Sequence, residues 1–486
     1  MRARRLKTRT ELRQNWKPKP GDRLIRHPRQ DEMGPIRVTV EQRRVQSRTG
    51  ASPLIIVLIF AILVAISTGL LLMPFAHHGT GMTPFMDALF TATSAVTVTG
   101  LVIQETSTYW TPAGQAMLMG IIFVGGLGFM TLATFLLVLV GQRVTLRQRL
   151  LIRESLGANQ LGGLVRMAVG IVLIAIGIQI VGFVALAVRF WFIYPPGEAI
   201  WQAAFHAVSG FNNAGFIAFK EESGLEAFQS DGVVIGVLAA LIFLGAISYG
   251  VIIDVAQHRR FRLLGLNTKL ILTFIPIMLL LGAGLFLLFE YSNPDTLGAL
   301  PVSQKLTTSM FEAVNYTAGF STIDYAEANQ GTGFIMSALM FVGGASASVA
   351  GGIKINTLAV VMVAVASTVQ GRAHASAYGR EIPDEQVKRA LTVGSIALGM
   401  LLLVILFLTL SNTTFDFLSL IFESVSAFST VGLTTGITPD LSEWGHVVLV
   451  VAMFVGRIGP FTLVIALAQN AETGRYRYAE EHVTIG

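Results

Sequence analysis

Four times along this chain a long apolar stretch leads into a short segment that begins on phenylalanine and ends on glycine, and a second apolar stretch follows. The segments run Phe90 to Gly100, Phe205 to Gly215, Phe311 to Gly319 and Phe422 to Gly432, with glycines 115, 104 and 113 residues apart. Repetition at so long a period implies fused copies of one unit rather than a solenoid. Four such units around one axis imply a pore.

Composition fixes the solvent. Hydrophobic residues make up 53% of the 486 and charged residues only 13%, which marks an integral membrane protein. Stretches of about 20 residues suffice to cross a bilayer, and the candidates are approximately 54–73, 115–140, 165–193, 232–256, 267–290, 332–369, 390–411 and 445–469. Each pair brackets one glycine segment. The pieces between, such as Met86 to Ala95 and Ile200 to Ser209, are too short to cross and should be re-entrant. The expected fold is all-α: eight transmembrane helices in four span, pore-helix, span repeats around a pseudo-fourfold pore. The repeats are 51–143, 165–258, 267–372 and 388–471, between an N-terminal tail 1–50 and a C-terminal tail 472–486.

Charge orients the units, because Lys and Arg favour the cytoplasmic ends of spans. The loops between repeats carry Arg143, Arg147, Arg149 and Arg153, then Arg259, Arg260, Arg262 and Lys269, then Arg372, Arg380, Lys388 and Arg389. The segments after each glycine carry Glu105, then Glu221, Glu222, Glu226 and Asp231, then Asp324 and Glu327, then Asp440 and Glu443. Both termini are therefore expected inside, with the half-helices entering from outside. Arg189 and Lys220 are exceptions, and Arg189 reads as snorkelling beside Trp191 and Tyr194. The tail 1–50 holds fifteen Lys or Arg against five acids and no apolar signal-peptide core. It reads as a retained cytosolic tail attracted to anionic lipid, so the net charge of +6 does not argue for nucleic acid. With no cysteine, disulfides and thiolate metal sites are excluded.

A monovalent cation crossing a membrane exchanges its water for other oxygens, and backbone carbonyls supply them without the trapping strength of a full charge. Glycine permits backbone angles that aim successive carbonyls at one axis. The expected filter residues are Thr97, Val98, Thr99 and Gly100; Asn212, Asn213, Ala214 and Gly215; Thr317, Ala318 and Gly319; and Ser429, Thr430, Val431 and Gly432. None is ionisable. A single Thr-Val-Thr-Gly is more often a turn or packing element; four at matching places in four span pairs favour a filter.

These motifs, Thr-Val-Thr-Gly-Leu, Phe-Asn-Asn-Ala-Gly-Phe, Thr-Ala-Gly-Phe and Ser-Thr-Val-Gly-Leu, resemble those of the Trk, Ktr and HKT potassium transporter superfamily over nearly all of residues 51–470. Eight spans without an extra N-terminal pair resemble its KtrB members. In that family glycine at all four filter positions implies potassium, here at Gly100, Gly215, Gly319 and Gly432. The resemblance further implies passive or sodium-stimulated uptake across the cytoplasmic membrane, no covalent cofactor, a homodimer, and a cytosolic nucleotide-binding RCK-type ring like KtrA.

Two features lie inward of the filter. The second span of repeat three contains Gly343, Gly344, Ala345, Ser346, Ala347, Ser348, Val349, Ala350, Gly351 and Gly352, with Lys354 just beyond. Such a run breaks a helix or marks close helix packing; it resembles the family's intramembrane gating loop. Arg457 sits roughly 20 Å along the last span from Trp444 at 1.5 Å per residue, where a charge usually faces a functional path. It resembles the arginine beneath the filter.

Some features depart from the family pattern. Tyr316 precedes Thr317 where members frequently carry arginine, and the third Phe-to-Gly spacing is eight residues against ten elsewhere, which puts the pore-helix register in question. The second span of repeat two reads Phe243-LGAISYG-Gly250 and carries no functional inference. Gln202 and His206 can orient the filter, but capping or packing is the commoner role. No His-Glu-x-x-His, Gly-x-Ser-x-Gly or cysteine nucleophile is present, so enzyme classes are disfavoured. A secondary transporter of another cation or a small solute is the rival; it would favour two inverted halves and midplane acids, whereas the pore helices carry only Glu312 and Glu423 at depth.

Overall fold

The computed structural model describes residues 53–128, 131, 138, 164–221 and 224–459. Outside the described residues lie the tail 1–50, Arg143, Arg147, Arg149 and Arg153, Glu222, the ends of the spans expected at 115–140 and 445–469, and the tail 472–486.

The first repeat forms α1 (Pro53–Leu71), α2 (Phe85–Thr97) and α3 (Pro112–Leu127). The second forms α4 (Leu164–Phe190), α5 (Pro196–Phe211), α6 (Gly232–Ala246) and α7 (Tyr249–His258). The third forms α8 (Leu266–Glu290), α9 (Val302–Asn315), α10 (Gln330–Phe341) and α11 (Ile355–Val369), and the fourth α12 (Asp384–Ser411), α13 (Phe417–Phe428) and α14 (Glu443–Ile458). Thr111, Asp231 and Ser442 cap α3, α6 and α14 by accepting from the backbone N–H of Gly114, of Val233 and Val234, and of Gly445, which satisfies donors the helix itself leaves unpaired.

The first helix of each repeat is long and turns its apolar side outward. Ile62, Val181, Leu280 and Leu410 are 57%, 70%, 66% and 67% exposed. In water such a surface would drive association; in hydrocarbon it is the stable one. The phenylalanines that head the pore segments are buried instead, Phe90, Phe205, Phe311 and Phe422 all at 2% exposure or less. The short helices α2, α5, α9 and α13 thus carry buried faces where the long ones carry exposed apolar faces.

Among the described residues four helices, α1, α4, α8 and α12, are long and apolar enough to cross a bilayer, or five if α6 and α7 form one bent span. The second stretch is broken within the described residues of repeats two and three. The described part of α3 ends at Gly128 and that of α14 at Gly459, both at positive φ. The break expected in repeat three is present, α10 and α11 being separated by Val342–Lys354. Repeat two breaks as well, which the continuous span expected at 232–256 missed: α6 and α7 meet at 94° across Ile247 and Ser248. Neither glycine nor proline occupies that break. In a continuous helix the carbonyls of Gly245 and Ala246 would accept from Tyr249 and Gly250; here they accept from Val349 N (3.2 Å) and Ala345 N (3.0 Å) across the molecule. Tertiary hydrogen bonds replace helical ones and hold the bend.

Arg189 and Lys220, the basic residues on the acidic side, are partnered. Arg189 Nε lies 2.7 Å from Asp231 and Lys220 Nζ 2.8 Å from Glu198. Pairing with the α6 cap, rather than snorkelling alone, accounts for Arg189.

Candidate functional site: four converging glycine turns

Each pore helix ends by handing the chain to an extended segment. In repeats one, two and four the turn passes through a non-glycine residue at positive φ two places before the glycine: Val98 (58°), Asn213 (55°) and Thr430 (50°). Such angles are costly for a β-branched residue such as Val98 or Thr430 and mark a segment constrained by its surroundings. The glycines follow at φ +98°, +69°, +68° and +99° for Gly100, Gly215, Gly319 and Gly432. Ser94 Oγ and Ser426 Oγ accept the N–H of Gly100 and Gly432, each at 3.0 Å.

The third repeat absorbs its shorter spacing in the helix. There α9 ends four residues after Phe311, whereas α5 and α13 end six after their phenylalanines. No residue before Gly319 in this turn needs positive φ, so the two missing residues leave the glycine itself in place.

The four turns meet in a closed cycle. A Cβ added to Gly100 would stand 2.4 Å from Ala214 O, one on Gly215 2.7 Å from Ala318 O, one on Gly319 2.4 Å from Val431 O, and one on Gly432 2.0 Å from Thr99 O. Each glycine thus abuts the carbonyl preceding the next repeat's glycine, and the fourth returns to the first. Between repeats two and three the Asn213 amide also meets Thr317 Oγ1 at 2.9 Å. All four glycines open onto one cavity of about 360 Å³, whose wall includes Glu105, Glu221, Glu226 and Asp324. Partial desolvation at the cavity wall, and then the negative charge of Asp324, push the Glu226 carboxyl above the usual carboxylate range.

The small-residue loop packs against the cycle at the turn of repeat four. A Cβ on Gly351 would collide with Thr430 Oγ1 at 1.9 Å and Ser429 O at 2.7 Å, so the loop lies directly against the turn of repeat four. Its stem is a two-residue parallel pairing of Val342–Gly343 with Ile353–Lys354. Ser346 N donates to Asn356 Oδ1 (2.9 Å), and Ala347 and Gly352 take positive φ. Lys354 Nζ donates to Ala350 O. Arg457 donates to Val349 O with Nη1 and to Gly125 O with Nη2 (2.6 Å), clamping the loop between the second helices of repeats four and one. Among the predicted residues, then, the filter set and the gating set each come together, and they touch.

The sequence left Gln202 and His206 between orienting the filter and capping or packing, and gave Glu312 and Glu423 no part in the turns. Gln202 Nε2 donates to Ala218 O (2.8 Å), and Ala218 N donates to His206 Nε2 (3.3 Å), so both residues act on the chain beyond Gly215 rather than only capping or packing. Glu312 and Glu423 do the same beyond Gly319 and Gly432. For His206, Glu312 and Glu423 the signal was available: each directly follows its segment-heading phenylalanine.

Apolar helices around four converging glycine turns define a class, the multi-pass membrane transport proteins. The family model described as TrkH, cation transport protein, matches residues 38–477, and the chain belongs to that family. It is similar to the Ktr system potassium uptake protein B of Bacillus subtilis (37% identical, covering 89% of this chain and 96% of that protein) and of Vibrio alginolyticus (38%, 90% and 95%). It is also similar to the potassium/sodium uptake protein NtpJ of Enterococcus hirae (35%, 92% and 100%). The crystal structure of the potassium transporter TrkH from Vibrio parahaemolyticus shares the fold, with a TM-score of 0.68 at 19% identity over 88% of this chain and 86% of that one.

Proposed function

We propose that this protein takes up potassium across the cytoplasmic membrane through a pseudo-fourfold filter formed by Gly100, Gly215, Gly319 and Gly432, and that the Gly343–Gly352 loop with Lys354 and Arg457 is its gate. The observation that carries the reading is the closed cycle in which each glycine abuts the next repeat's carbonyl. Carbonyls so packed strip water from an ion without trapping it, and acids around the outer cavity concentrate cations at its mouth. No covalent chemistry is involved, and the named relatives, all uptake proteins, support a non-enzymatic role.

Eight crossings with both termini cytoplasmic fit the basic loops Arg259 to Lys269 and Arg372 to Arg389. The resemblance to Ktr systems supports a homodimer and a cytosolic nucleotide-binding ring contacting those loops. The likeness to a potassium/sodium uptake protein supports sodium as activator or coupled ion. The test is uptake of potassium, rubidium, sodium and lithium into proteoliposomes with Gly100→Ser alongside. Potassium and rubidium flux in the parent with relaxed discrimination in the variant supports the filter; equal flux of all four ions returns a secondary transporter to first place.

A further inference from the structure

We infer that the residue directly after the pore-helix phenylalanine is a strut that fixes the outer end of the filter turn, making His206, Glu312 and Glu423 positioning residues for ion discrimination. This rests on the four-glycine filter reading and goes beyond it to residues that do not touch the ion.

In three repeats the same bond recurs at the same offset. Glu312 Oε1 accepts from Thr322 N at 2.8 Å, Glu423 Oε1 from Thr435 N at 2.9 Å, and His206 Nε2 from Ala218 N at 3.3 Å. Thr322, Thr435 and Ala218 each lie three residues beyond their filter glycine. His206 is set to accept because its Nδ1–H is directed at Gln202 O, 2.8 Å away. All three side chains are fully buried. Further donors converge on the carboxylates: Thr322 Oγ1 and Tyr325 OH at 2.8 and 3.0 Å on Glu312, and Thr434 Oγ1 and Thr438 Oγ1 at 2.5 and 2.8 Å on Glu423. Repeat three, two residues shorter between phenylalanine and glycine, keeps the bond. The first repeat has Thr91 at this position, and among the described residues its buried Oγ1 has no hydrogen-bond partner.

A carbonyl cage tells ions apart only if its oxygens resist collapsing onto a smaller ion or spreading for a larger one. Hydrogen bonds inside a buried network supply that resistance, because they polarise one another and breaking one leaves a buried group unpaired. A strut acts by reach and geometry. A buried carboxylate that merely attracts cations would act by charge, and two conservative substitutions separate these roles: Gln keeps the reach and an acceptor oxygen, whereas Asp keeps the charge and loses one methylene of reach.

The experiment measures potassium and sodium uptake into proteoliposomes containing Glu312→Gln, Glu312→Asp, Glu423→Gln and Glu423→Asp, with Thr91→Val as the control at the strutless position. The K+/Na+ flux ratio should fall about tenfold in the Asp variants, the size expected from one lost hydrogen bond to a charged group, and stay within about twofold of the parent in the Gln variants and Thr91→Val. Damage in the Gln variants with intact Asp variants makes the role electrostatic and overturns the strut. Asp variants with the parent's ratio, or equal loss in both pairs, overturn it as well. Each of these outcomes leaves the filter reading standing; a parent that fails to discriminate potassium from sodium refutes both.

Discussion

Adding one methyl group at the four filter glycines should damage discrimination in a definite order, because the cycle is not equally tight at its four joints. Against an ordinary C···O contact of about 3.3 Å, Gly432→Ala forces Thr99 O, 2.0 Å from the added Cβ, to move by roughly 1.3 Å. The same subtraction gives roughly 0.9 Å at Gly100 and Gly319, whose neighbours stand at 2.4 Å, and roughly 0.6 Å at Gly215, whose neighbour stands at 2.7 Å. All four sites also carry the strain of an L side chain at positive φ, roughly 1–2 kcal/mol. That cost is shared, so displacement sets the ranking. Misplacing one oxygen that serves a charged partner forfeits about 1.5–3 kcal/mol, which is about tenfold or more in the K+/Na+ ratio for Gly432→Ala. The assay is paired rubidium and sodium uptake by the four variants in proteoliposomes, after checking that each is monodisperse. Gly432→Ala should be worst, Gly100→Ala and Gly319→Ala intermediate, and Gly215→Ala mildest. Equal loss at all four sites, or Gly215→Ala as the most damaged, would refute the ring-contact argument.

Further outcomes are expected at the gate and the mouth. Arg457→Ala removes the bonds to Val349 O and Gly125 O; at about 1.5–3 kcal/mol for a charged donor, the closed loop should lose about tenfold or more in population, raising uptake measured without any activating partner. Gly351→Val drives a branched side chain into Thr430 Oγ1 and Ser429 O, so the loop cannot seat and basal flux should rise; unaltered basal flux would dissociate the loop from gating. The raised Glu226 carboxyl binds its proton at higher pH than an ordinary acid, so mild acidification on the cavity side removes negative charge from the cavity wall. The apparent affinity for potassium should weaken accordingly, and Glu226→Gln should flatten that pH dependence; a parallel profile in the variant speaks against the residue. Asp231→Ala removes both the α6 cap and the Arg189 partner and should lower the thermal unfolding temperature, at about 1 kcal/mol for the cap, with little change in ion preference.

The sequence by itself determined the membrane solvent, the four Phe-to-Gly segments with their glycines and the small-residue run that interrupts the helix after Phe341, because each is written in local chemistry: apolar length, Phe-to-Gly spacing and a run of small residues. Family membership was also legible there, since the turn motifs are contiguous. What it left open concerns bonds between residues far apart in the chain. The bend at Ile247 and Ser248 has no breaker residue and exists because Val349 N and Ala345 N take the carbonyls the helix would have used. The register of the third turn was open because spacing counts residues, whereas the fold shortened the helix and kept the glycine in the cycle. Arg457 was singled out by its depth, but its hold on Val349 O and Gly125 O joins three repeats and has no local trace. Only the tertiary structure makes Glu312 and Glu423 struts instead of isolated acids, since a buried carboxylate acquires a role from the donors that converge on it.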